Sequence, residues 1–529
     1  MRFLATILLA LVAVAPAMAQ RSIGNGQVSG SFESTSIGYL DDKKLGAAPE
    51  DHFGSNNYLK VDYANGRFSA GLQANAFLPV LQGYDDLADG KKFYLASKYI
   101  QWSDKNFEVL VGDIFDQYGN GLIYRSFEDR NLGFNNSVEG VRAAYNFGRF
   151  VQLKGMYGRP RLYTEYADSW VRGADLVVSL ADICGIQEKV MLSVEGSYVN
   201  RFQKLTLGDD RDKLIFEAAG LDKPNLDMYS GRLNFGWNGL SLRGEYVHKG
   251  KDLNLDATDG LAKTGSAIYA EAGYSYGGFS VVATYRQLSN MATRASLYDE
   301  GVANAINYLP ALTRQYTYML ANLNPYQVYA MGEMGGQADV CYSLRSKESR
   351  YRYWNFHANF STFYNSFSKN LMWRDINFDV ERQWGKKFKT IFLFSRQEWG
   401  KSLGFQDLYG SNIFVGDVTY KFDRKKSLRV ELQYLLADRH EGKYDYEGDW
   451  VAVLAEFSLA PHWSFFVQDM YNIDKTKTHY YSGGFSYTYS RTRVQLSYGR
   501  NRAGYICSGG VCRYSPAYTG VNLVLTSSF

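Results

Sequence analysis

The chain has 529 residues, with 58 Lys plus Arg against 54 Asp plus Glu and a formal net charge of +4, and the two signs are interleaved rather than blocked. That balance gives no footprint for nucleic acid. Aromatic residues make up 16% of the chain, 43 of them tyrosine, yet mean hydropathy is negative, and beyond the N-terminus no run approaches the ~20 apolar residues of a helical span.

A transmembrane β-barrel reconciles these values, because only alternate strand residues meet lipid and aromatic girdles mark the two interfaces. Nine prolines suit a chain that is mostly hydrogen-bonded sheet. A large soluble β-sandwich or propeller shares the composition but accounts for neither terminus.

At the N-terminus, Arg2 is followed by an apolar run from Phe3 to Val14 and the small-residue site Ala17-Met18-Ala19. The run is too short to span a membrane and reads as a secretory signal peptide, residues 1–19, with the mature chain starting at Gln20. No Cys follows the site, so no lipid anchor is expected. Residues 20–529 then form one domain.

From there, alternating segments of about ten residues recur, separated in turn by tight turns and longer polar loops. Asn65-Gly66, 104–106, Gly148-Arg149, Asn238-Gly239, Gly277-Gly278, 385–387, 423–426, Ala460-Pro461 and Ser490-Arg491 mark tight turns. Residues 182–189 and 346–349 add two more. Asn-Gly and Gly-Gly supply the positive φ that two-residue hairpins need.

Alternation assigns faces. Phe279, Val281, Ala283 and Tyr285 point outward, with Thr284 and Arg286 inward. Leu428, Val430, Leu432, Tyr434 and Leu436 point outward against Arg429, Glu431 and Gln433. Trp354, Phe356, Ala358 and Phe360 oppose Asn355, His357 and Asn359. Charge on the lipid face costs about 2–4 kcal/mol at the midplane, so Arg142, Lys154, Arg243, Glu245, Glu271, Asp375, Asp379 and Arg493 are expected in the lumen.

About eleven tight turns give roughly 24 strands, within 20 to 26, in a single closed antiparallel barrel with short periplasmic turns and long extracellular loops. Keeping every later turn periplasmic requires a strand at about 338–345. Loops 116–137, 202–225 and especially 291–337 are long, and are expected outside or folded inward. A barrel of this size leaves no room for a separate N-terminal plug or periplasmic domain.

The densest polar constellation is GDIFDQYGNGLIYRSFEDRNLGF from Gly112, followed by YGRPR at 157–161. Asp113, Asp116, Glu128, Asp129, Arg130, Arg159 and Arg161 are candidates for a lumenal constriction, since acids and arginines pair across a confined space. The alternative is an ordinary surface loop. This combination resembles an uncharacterised Bacteroidota family of large outer-membrane β-barrels, across most of the mature chain. The resemblance implies a barrel and a location; it carries no activity and no site residues.

Cys507 and Cys512, in ICSGGVC, lie in the last outer loop and are expected to form a local disulfide in an oxidising compartment. No metal site is expected there, because no His or acid flanks them. Cys184 and Cys341 are left unpaired. Gly273-Tyr-Ser275-Tyr-Gly277 and Gly400-Lys-Ser402-Leu-Gly404 match Gly-x-Ser-x-Gly without the strand–turn–helix setting of a nucleophile elbow. His440, in Asp438-Arg-His-Glu441, reads as a solvated loop residue.

The chain ends YTGVNLVLTSSF. Val521, Leu523, Leu525 and the terminal Phe529 form one apolar edge, like the assembly signal of bacterial outer-membrane barrels.

Three functions remain open: a porin-like channel for small hydrophilic solutes, a non-conducting barrel in a secretion, biogenesis or nutrient-uptake assembly, and an enzyme, the least supported. Expected partners are outer-membrane lipid, lipopolysaccharide, the barrel assembly machinery and envelope proteins. No cofactor or metal is expected.

Overall fold

The computed structural model describes residues 21–84, 92–203, 221, 224–252, 262–297, 304–349, 351–400, 408–440, 443–444, 447–508 and 511–529. The segment expected to be a signal peptide, Ser402, Gly404, Glu441 and most of the loop after Gln203 lie outside these residues.

Twenty-four antiparallel strands close into one barrel, from Gly26–Leu40 to Tyr518–Ser528. Each strand pairs with its neighbours in chain order. The ring shuts where Gly26–Leu40 pairs with Tyr518–Ser528, from Ser31↔Ser528 to Leu40↔Thr519. Phe529 extends that ladder by exchanging backbone hydrogen bonds with Gly30. Its ring fills the space a side chain at position 30 would need: a Cβ there would lie 2.4 Å from the ring. Leu523, Leu525 and Phe529 therefore sit at the closing seam.

The eleven expected turns all join strands at one rim, and the long loops all join strands at the other. Gly66, Gly148, Gly239 and Gly277 take positive φ, as such turns require. The turn after Ser179 holds one helical turn, Leu180–Ile183, capped by the Ser179 hydroxyl.

The expected strand at 338–345 is present but begins earlier, as Gly332–Arg345. Gly335 and Gly336 look like loop residues, yet the strands approach so closely that a Cβ would lie 2.0 Å from Thr362 O or 2.3 Å from Thr284 O. Glycine lets the ladder start there.

Register fixes the faces, since residues directly opposite one another share a side. Ile100, Val111, Val141 and Tyr157 lie in one cross-strand row and remain 56%, 51%, 48% and 52% exposed. The neighbouring row, Leu110, Arg142 and Met156, turns inward. Near the turn rim, outward rings run from Trp354 to Trp384, Phe388, Tyr420 and Phe422, with centroids 5.1–6.5 Å apart. An apolar belt bordered by aromatic rings is the surface a lipid bilayer requires.

Candidate functional site

Inside the ring, the inward charges form a continuous chain of opposite partners. Arg142 bridges Glu108 and Asp116, the latter at 2.7 Å. Lys154 reaches Asp116 at 3.0 Å. Arg232 then joins Asp175 at 2.6 Å and Glu195 at 2.7 Å. Alternating rows on adjacent strands place these long side chains side by side, so each buried charge faces its opposite.

The segment between Ser289 and Gly332 does not hang outside. These two residues are cross-strand partners, and the described stretches between them, 290–297 and 304–331, cross the lumen. On one wall, Ser169 Oγ donates to Ala295 O, Arg201 to Arg294 O at 2.7 Å, and Lys249 Nζ to Asn290 O at 3.0 Å. On the far wall, Tyr316 donates to Asp375 at 2.7 Å, Arg314 to Asn377 at 2.8 Å, and Leu320 N to Gln433 at 3.0 Å. The strands carrying Ser169 and Gln433 are eleven apart in a ring of twenty-four, nearly opposite one another.

Apolar packing holds the segment in place. Met291, Ala295 and Ile306 pack with Ile114, Tyr118 and Leu122. Leu320 and Ala321 pack with Leu393, Ile413 and Trp450. On its return, Tyr326 donates to Glu333, which pairs with Arg286; both charged side chains are fully buried.

The loop 115–137 also folds inward and packs on this segment. Arg125 N donates to Ile306 O, Tyr308 N to Gly121 O, and Asn136 to Ala305 O. Of the seven sequence candidates, Asp116 joins the inward charge chain. Glu128 accepts from Gln73 at 2.6 Å, and Arg130 pairs with Glu33 at 2.7 Å over the Tyr58 ring. Asp129 caps the backbone of Asn131 and Leu132.

Asp113, Arg159 and Arg161 are placed differently. Asp113 lies opposite Glu139, which lies opposite Arg159, and this is the outward face of Val111 and Tyr157. Counting in twos from Val111 gives the same answer. The ladder between Phe93–Ser103 and Phe107–Ile114 stops at Tyr99↔Gly112. Into the gap beyond it, Asp113 accepts Lys98 N at 3.0 Å, the Tyr166 hydroxyl at 2.9 Å and Arg161 at 3.2 Å. The cluster stitches the wall near the loop rim.

At that rim, Cys507 and Cys512 are joined as a disulfide between Gly504–Ser508 and Val511–Ser515. This hairpin leans over the opening. Val511 packs on Leu132 and Phe134, and Arg513 donates to Gly83 O at 3.0 Å and stacks on Tyr84. The loop after Leu40 is pinned by a bidentate Asp42–Arg500 pair at 2.8 Å and by the Thr519 hydroxyl at 2.6 Å. The Arg500 guanidinium, with help from Thr519 and against the opposing effect of burial, holds Asp42 well below the usual carboxylate range.

Ser275 ends a strand and enters a strand–turn–strand hairpin. A constellation that sequence reading passed over lies on the far wall. Asp339, Cys341 and His357 face the lumen with ligand atoms within 4.8 Å of one another. The signal was present in the i, i+2 pair Asp339/Cys341, but the strand register that brings His357 opposite Cys341 was not legible.

These features define a large closed β-barrel with an in-folded lumenal segment. The chain belongs to the family described as "Family of unknown function (DUF6029)", whose model matches residues 1–529. Among solved structures, it is similar to the siderophore receptor PirA from Pseudomonas aeruginosa, at 8% identity, TM-score 0.43, covering 97% of this chain and 81% of that one. It is also similar to Acinetobacter baumannii OccAB3, at 10% identity and TM-score 0.36, covering 96% and 100%. The P pilus usher PapC pore gives 10% identity, TM-score 0.46, and coverage of 95% and 99%. No curated protein matches the chain.

Proposed function

We propose that the protein is an outer-membrane channel for small hydrophilic solutes, with a lumen narrowed by its own residues 291–297 and 304–331. A ring of this many strands encloses an aqueous lumen unless something fills it. The observation that carries the reading is the one-sidedness of the filling. The described contacts of the segment reach from the strand of Ser169 to the strand of Trp450 and Ala452, and loop 115–137 covers the wall near Glu33, Tyr58 and Gln73.

On the four strands between Trp463 and Ser528, the inward row runs through Gln468, Ser482, Gln495, Ser497 and Asn522, with Phe466, Met470, Tyr480 and Arg493 sharing that face. Ser482, Gln495, Ser497 and Asn522 make the middle of this arc polar, and Met470 and Tyr480 border it where they pack on the Trp450 cluster. A hydrophilic solute would pass along this arc, beneath the disulfide hairpin. The signal peptide, the closing Phe529 and the aromatic belt support export and insertion through the barrel assembly machinery into the outer membrane, among lipid and lipopolysaccharide.

Single-channel conductance in a planar bilayer tests the reading. The full chain should conduct in small steps. A variant with residues 291–331 replaced by an Asn-Gly turn, feasible because Ser289 and Gly332 already pair, should conduct in much larger ones. If that variant folds, as judged by heat-modifiable gel mobility, yet leaves the membrane as tight as without protein, the channel reading fails and a subunit of an envelope assembly takes its place.

A further inference from the structure

The geometry points to a metal site on the lumenal wall, in which Asp339, Cys341 and His357 bind a divalent transition-metal cation of the zinc class. Asp339 and Cys341 are two residues apart on Gly332–Arg345 and so share a face. Cys341 is directly opposite His357 on Tyr353–Asn365. The backbone alone therefore brings a thiol, an imidazole and a carboxylate together.

Cys341 Sγ is 3.6 Å from Asp339 Oδ1, and His357 Nε2 is 2.7 Å from Asp339 Oδ2. Metal–ligand bonds of 2.0–2.3 Å in a tetrahedron set ligand atoms roughly 3–4 Å apart. A small opening of the His357–Asp339 contact admits the ion. Side chains of His357 and Asp339 are 19% and 36% exposed, so the lumen gives access and leaves a fourth position for water.

A second observation separates this cluster from an incidental group of polar residues. The other ring nitrogen, His357 Nδ1, hydrogen-bonds Asp379 Oδ1 at 2.9 Å, and Asp379 is directly opposite His357 on the next strand. A carboxylate behind a histidine is the arrangement that fixes the ring and raises its basicity for a metal. Asp379 is in turn held by Arg314 of the lumenal segment. Asn359 donates to Asp339 Oδ2 at 2.8 Å, fixing the second ligand.

Thiolate with imidazole and carboxylate selects zinc or a similar borderline-soft ion over calcium or magnesium. On binding, Cys341 gives up its thiol proton and His357 its Nε2 proton to solvent. The site stands whether or not the lumen conducts.

Cobalt(II) titration of the refolded full chain tests it, in a Cys184→Ser background, because Cys184 and Cys341 are the free cysteines among the described residues. One equivalent should give visible ligand-field bands together with a near-ultraviolet sulfur-to-cobalt band, and zinc should abolish both. Cys341→Ser should remove the sulfur band. Asp379→Asn should keep it and weaken binding about 10–100-fold. No sulfur band at one equivalent, or an unchanged band in Cys341→Ser, overturns the site. Heat-modifiable mobility shows that each variant is folded.

Discussion

Two arcs of the same ring treat their inward residues differently. Between Ser169 and Ala437, the wall carries long charged side chains, each with a partner on a neighbouring strand or on the crossing segment, as with Arg232 between Asp175 and Glu195. Between Trp463 and Ser528, it carries mostly uncharged residues, Ser, Gln and Asn beside Met470 and Tyr480, with Arg493 near the turn rim. Charges removed from water need partners with good geometry, so the arc that holds the segment is charged and paired. Short neutral groups keep their hydration without partners, which suits an arc left to water.

The largest effect should come from removing what divides the arcs. Replacing residues 291–331 by a turn should raise single-channel conductance several-fold, while shortening the loop at 473–478 should leave it unchanged. Next is the buried anchor of the segment. Glu333→Gln leaves Arg286 buried without its counter-ion, which costs about 3–5 kcal/mol. It should lower the urea midpoint of the heat-modifiable barrel and increase proteolysis of the segment.

A third test makes the open arc resemble the filled one. Ser482→Trp, on the polar arc, should reduce the full chain's conductance without shifting its urea midpoint. If conductance does not change, solute passes elsewhere.

The pH test concerns the loop pinned at the closing seam. Because Asp42 is held below its ordinary value, the stabilisation is present above about pH 4 and is lost as pH falls through that region toward the folded value. Hydrogen exchange of residues 41–52 should therefore speed up on acidification, and Asp42→Asn should show the fast exchange already at neutral pH. The smallest effect is expected from Cys507→Ser with Cys512→Ser. Closing so short a loop stabilises by about 2 kcal/mol, confined to a hairpin, so local exchange should rise while the barrel's urea midpoint stays put.

Much of the wall was legible because a strand has a period of two and a tight turn needs particular residues. Asn65-Gly66, Gly277-Gly278 and the alternation of Leu428 to Leu436 each say where a strand turns and which way it faces. The same counting, carried two residues past Val111, would have put Asp113 on the outward face. The polar motif drew attention to its chemistry and away from its parity. Gly335 and Gly336 hid a strand start because, in sequence, glycine marks loops as readily as close strand approaches.

What the sequence determined by itself is therefore the strand rhythm, the closing edge at Phe529 and the local Cys507–Cys512 bridge, since all depend on neighbours within a few residues. Tertiary structure alone decided the path of residues 291–297 and 304–331 across the lumen, the division into a charged arc and a mostly uncharged one, and the meeting of Cys341 with His357 and Asp379. These depend on inter-strand register and on contacts between walls eleven strands apart, distances over which alternation carries no information.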